Sequence, residues 1–140
     1  MEPKHAEFDA VSGFALISAM HFYWALGGQV GLSSAIPEVD GRKLFQPSAI
    51  GTAVIALLLA LAAAAVVCMG AVLPGNKLVG APAEVGLLAL SAGMLLRGVG
   101  EFRYVGLFKR VKGSRFARND TRFYSPLCLM LAAGLFYLAW

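Results

Sequence analysis

The sequence predicts an all-α integral membrane protein, a four-helix bundle running up-down-up-down with both termini on the outer side. Three observations predict it. Of 140 residues, 59% are hydrophobic and only 14% charged, with mean hydropathy +0.71; a soluble domain carries about 25% charged residues. Residues 10–37, 44–76 and 123–140 contain no Asp, Glu, Lys or Arg, and each run is long enough for a span of about 20 residues. Finally, the basic residues are unevenly placed, and Lys and Arg mark the cytoplasmic side. Arg42 and Lys43 lie in the first loop, and Lys109, Arg110, Lys112, Arg115, Arg118 and Arg122 in the third. With Arg103 beside the third loop, these make nine of the chain's twelve Lys and Arg residues.

The chain is expected to form one membrane domain over residues 1–140. The start, Met-Glu-Pro-Lys-His-Ala-Glu-Phe-Asp, is net acidic. A cleavable signal peptide has a basic start, so the first span, residues 10–32, is expected to stay. Pro37, Asp40-Gly41 and Pro47 make the first loop turn-rich. Span 2, residues 48–73, is rich in alanine from Ala60 to Ala65, which suits close helix packing; Pro74-Gly75-Asn76 ends it. Pro82 opens span 3, residues 83–108, at a position where a missing N–H costs nothing. The basic loop 109–122 follows, and Asn119-Asp120-Thr121 offers capping oxygens for span 4, residues 123–140. Spans 1–2 show no repeat in spans 3–4. Cys68 and Cys128 should differ in depth by about 20 Å at 1.5 Å rise per residue, too far for a disulfide.

Span 3 carries the chemistry. Charge inside a bilayer is costly, so an intramembrane ionisable pair is the first place to look for function. Arg97 and Glu101 are spaced i, i+4 and are expected to pair. On a helical wheel they share a sector with Gly86, Ala89, Gly93, Gly100 and Tyr104, the small-residue face that meets other helices. Arg97 should lie about 20 Å below the outer face, in the inner half of the hydrocarbon. Trp24 falls at a similar depth, with His21 one turn nearer the midplane and Tyr124 nearer the cytoplasm. The expected ligand-binding set is therefore His21, Trp24, Arg97, Glu101, Tyr104 and Tyr124. The plain alternative is a structural Arg97–Glu101 bridge and a hydrogen-bonded core imidazole at His21. Lys109, Arg110, Lys112, Arg115, Arg118 and Arg122 are expected to contact anionic lipid headgroups, each worth about 1 kcal/mol.

Several function classes find no support. His5 and His21 are the only histidines and no Cys-x-x-Cys occurs, so no metal site is expected. No nucleophile elbow, phosphate loop or dinucleotide fingerprint is present; no catalytic residue and no cofactor are assigned. So short a basic stretch beside the membrane does not point to nucleic acid.

The string from His21 to Gly28 (HFYWALGG), the stretch Gly100 to Gly106 (GEFRYVG), and Arg115 to Arg118 (RFAR) continuing through Asp120-Thr121-Arg122 to Tyr124-Ser125-Pro126 resemble a family of small bacterial four-span proteins known only as a domain of unknown function. The resemblance covers nearly the whole chain. It implies a multi-pass protein of the bacterial inner membrane and carries over no activity. The first expectation is thus a protein that binds a lipid-like or other amphiphilic ligand, or serves as an accessory subunit, with membrane lipids and a homo-oligomer or larger complex as partners. The alternatives are a small transporter coupled through Glu101 and an intramembrane enzyme using His21 and Arg97.

Overall fold

The computed structural model describes residues 3–72 and 77–139. Its architecture is all-α: α1 (Pro3–Ala25), α2 (Leu32–Ala35), a minimal hairpin of β1 (Glu38–Val39) and β2 (Arg42–Lys43), α3 (Ala49–Val72), α4 (Lys77–Val99), α5 (Arg115–Asn119), a π-helical turn (Asp120–Tyr124) and α6 (Ser125–Ala139). The hairpin pairs Glu38 with Lys43 and Val39 with Arg42. Asp40 and Gly41 both take positive φ, 50° and 75°, as a two-residue Asp-Gly turn requires.

Among the described residues, three helices are long and apolar enough to cross a membrane: Ala49–Met69 at mean hydropathy 2.7, Ala81–Val99 at 1.3 and the continuous helix Arg115–Ala139 at 1.4. Their large side chains point outward as well as inward, Leu57, Leu58, Leu61, Leu96 and Met130 all being exposed. A helix apolar on every side fits a lipid environment. The stretch 73–76, expected to stop span 2, lies outside the described residues.

Helix ends differ from the expected spans for local reasons. Span 3 does not reach residue 108. Gly100 adopts φ +87°, and a left-handed residue ends the helix, so Glu101 lies in a loop. Pro82 lies inside α4 rather than opening it. The last helix begins at Arg115, because Ser114 Oγ accepts from the Ala117 amide at 2.9 Å; Asn119-Asp120-Thr121 is interior to it rather than its cap. At the other end of the chain, α1 starts at Pro3 and stops at Ala25, followed by Gly27 at φ +98°.

The long helices form two antiparallel hairpins. In one, α1 packs along α3; in the other, α4 packs along α6; α1 also lies against α6, while α3 and α4 meet only sparsely among the described residues. Each hairpin carries one buried serine clasp. Ser18 Oγ donates to Ala56 O and Ser91 Oγ to Ala132 O, both at 2.7 Å. Phe14, Val66, Leu87, Leu131 and Leu135 form the shared core. The two connecting segments lie at one end of the molecule: α2 packs on α5, and Glu38 Oε1 accepts from the Arg115 amide at 3.3 Å.

Candidate functional site

Because α3 and α4 splay apart, a cleft of about 740 Å³ separates the two hairpins. All four long helices line it. Phe14, Ile17, Leu59, Leu90 and Met94 supply much of its apolar wall, and the half-exposed Ile55 and Leu58 lie on it too. His21, Trp24, Arg97 and Tyr124 also line it. Four of the six residues expected to form a ligand site are thus brought to one cavity, while Glu101 and Tyr104 are not.

The α1 side of the cleft carries no Asp, Glu, Lys or Arg. His21 Nδ1 lies 2.8 Å from Ile17 O; a carbonyl only accepts, so Nδ1 carries the proton in this bond and the other ring nitrogen is left for another partner. Trp24 meets the His21 ring edge-on at 5.1 Å, and its indole N–H donates to Val30 O at 2.8 Å. Tyr23 lies over Gly28, where a Cβ would come within 2.3 Å of the ring. The aromatic string thus pins the chain leaving α1 back onto the helix. Tyr124 donates to Ser34 O at 3.5 Å and stacks at a tilt on Phe116.

The α4 side is charged, through a partner other than the expected one. Arg97 does not pair with Glu101. Its Nη2 donates to Asp120 Oδ1 at 3.0 Å, and Asp120 is wholly buried. Helix α4 ends two residues past Arg97, so the loop beyond swings Glu101 away; its carboxylate accepts from the amides of Tyr104 and Val105. Tyr104 is half-buried beneath the Arg103 guanidinium, 5.0 Å from the ring centroid. The loop returns through three left-handed residues, Gly100, Phe102 and Gly106. Gly100 and Gly106 pack back to back, so a Cβ on Gly106 would lie 2.4 Å from the Gly100 Cα. This fold delivers the Gly106 amide to Asp120 Oδ2 at 2.7 Å.

Lys109 completes the node and is not a lipid contact. It is 2% exposed, and its Nζ donates to Gly106 O at 2.8 Å, Thr121 Oγ1 at 2.7 Å and Asp120 Oδ2 at 3.1 Å. An ammonium has three donors, and all three are used. Arg110, Lys112, Arg115, Arg118 and Arg122 remain exposed, with Arg118 Nη1 donating to Gly113 O at 2.8 Å. The role of Asp120 was missed in the sequence. Its signal was that it is the lone acid among the six cations of residues 109–122, where a single carboxylate is outnumbered and readily recruited.

Arg97 is the cationic point of the cleft. Its side chain is 36% exposed, yet Nη1 is buried with no hydrogen-bond partner. A guanidinium has five N–H donors, and the only bond it makes among the described residues is the one to Asp120. Cys68 and Cys128 are free thiols. No group of three or more His, Cys, Asp or Glu side chains that could hold a metal occurs among the described residues.

Three helices long and apolar enough to cross a membrane, among the described residues, mark the class as a membrane protein, and a cleft with one cationic wall lies between its hairpins. The chain belongs to the DUF3995 family, described as a protein of unknown function, which it matches over residues 14–135. No curated protein and no solved structure matches it.

Proposed function

We propose that this is a four-span protein of the bacterial inner membrane whose cleft binds an amphiphile, with Arg97 holding the polar head and the helices enclosing the tail. One observation carries the reading: an apolar cavity of about 740 Å³ whose wall includes a guanidinium with most of its donors uncommitted among the described residues. Small-ligand sites are mostly apolar clefts of about 300–1,000 Å³ with few polar groups that fix orientation, and this one has that composition. On this reading α1 is the remaining span. It has 23 residues, enough for the hydrocarbon, and is more polar than the others through Lys4, His5, Glu7 and Asp9 in its first two turns and His21 and Tyr23 near its end. The excess of Lys and Arg around the two connecting segments supports placing those segments in the cytoplasm and both termini outside.

Native mass spectrometry of gently extracted protein should show a retained small molecule that is lost in Arg97→Ala. Identical bulk lipid on both proteins would defeat the reading. Orientation is checked separately, in a background lacking Cys68 and Cys128. Lys112→Cys should resist a membrane-impermeant maleimide in intact cells, and Lys4→Cys should react.

Glu101 gives the transporter alternative no support, since its carboxylate caps a loop outside the helix.

A further inference from the structure

The polar wall of the cleft carries an unbalanced charge. Lys109 donates to the Gly106 carbonyl, the Asp120 carboxylate and the Thr121 hydroxyl, and Asp120 accepts from the Gly106 amide, Arg97 and Lys109. With Arg97 the node holds two cations and one anion, a formal charge of +1. The carbonyls ending α4 offset about half a charge. Glu101 does not close the gap: it is exposed, its oxygen is turned to backbone amides, and it forms no ion pair among the described residues. The other polar side chains on the wall, His21 and Trp24 from α1, Tyr124 from the π-helical turn and Cys128 from α6, include no carboxylate. A net positive charge beside an apolar cavity is costly unless a further anion meets it.

We infer that the occupant of the cleft is a long-chain carboxylate, its head on the Arg97 guanidinium and its tail against Ile17, Leu59, Leu90 and Met94. The inference rests on the amphiphile reading above and sharpens it. One carboxylate supplies the single negative charge that the node lacks. It also presents two acceptor oxygens in the plane that a guanidinium recognises with paired N–H donors. A neutral alcohol or carbonyl head would accept a hydrogen bond and leave the charge unmet. A phosphodiester lipid has the same charge but brings two chains to one cleft.

The test uses the full-length protein in phosphatidylcholine nanodiscs, with fluorescent cis-parinaric acid as the probe. Palmitic acid should displace the probe, and hexadecanol, equal in length and uncharged, should do so at least about tenfold more weakly, as expected for losing a charge-assisted bond. Arg97→Gln should abolish that preference. Leu58→Trp narrows the cleft while leaving the ionic node intact, and should abolish probe binding itself. Equal displacement by acid and alcohol would overturn the carboxylate and leave the amphiphile site standing. Stronger displacement by phosphatidylglycerol than by palmitic acid would overturn the single-chain head. Absence of probe binding to the wild type, with hexadecanol and lipid also unbound by native mass spectrometry, would overturn both readings.

Discussion

The two helical hairpins are built alike and finished differently. Each pairs antiparallel helices, clasps them with a buried serine on a neighbour's alanine carbonyl, and ends its first helix at a left-handed glycine. Beyond that glycine they diverge. After α1, Gly27 sits in open space with nothing within 4 Å of a Cβ, and the chain is held by Tyr23 and Trp24. After α4, a Cβ on Gly100 would lie 1.8 Å from Val105 O, and the chain folds tightly over a buried ionic node. One hairpin therefore contributes an aromatic wall without Asp, Glu, Lys or Arg, the other a fixed cation. A shared packing plan sets the scaffold, and the loop after the helix decides which wall becomes chemically active.

The contrast between the hairpins is tested most severely at Asp120. Asp120→Ala leaves Arg97 and the buried Lys109 uncompensated, and breaking such a buried network costs about 3–5 kcal/mol. Thermal unfolding in detergent should show a larger loss for it than for any substitution at the turn glycines or the serine clasps. A loss no greater than that of removing a clasp would mean that the node is not what holds the second hairpin's loop. The glycines come next. Gly100→Ala adds a clash with backbone to an unfavourable φ and should cost about 3 kcal/mol, whereas Gly27→Ala meets only the left-handed penalty of about 1 kcal/mol. The ratio, measured in the same unfolding assay, matters more than either value, and equal losses would erase the distinction between the two turns. The smallest effects belong to the clasps. Ser18→Ala and Ser91→Ala should each cost about 0.6 kcal/mol, the usual size of an interhelical hydrogen bond in a membrane protein. Their near equality would support the shared plan, and a marked inequality would refine it.

The part of this protein legible in the sequence was the part governed by local composition. The charge-free runs 44–76 and 123–140 marked two of the three helices apolar enough to cross a membrane, while the run 10–37 went in part to the more polar α1 and the third helix carries Glu84 and Arg97. Solvent preference acts residue by residue, so composition reports it only on average. The wheel of α4 misjudged the packed face, since Gly86, Ala89 and Gly93 are exposed while Leu87, Ser91 and Gly98 are buried. Depth along the helices did better, placing His21, Trp24, Arg97 and Tyr124 on one cleft, because rise per residue is nearly constant. The partner of Arg97 came from tertiary structure alone. A spacing of i, i+4 is a pairing only while the helix lasts, and the helix stops at Val99. The loop then carries Glu101 to the amides of Tyr104 and Val105, while the start of the last helix brings Asp120 across 23 residues of chain. Lys109 looked like surface charge for the same reason. Nothing in a basic run shows which of its cations will find the single carboxylate, since that choice depends on how two left-handed glycines fold the backbone between them.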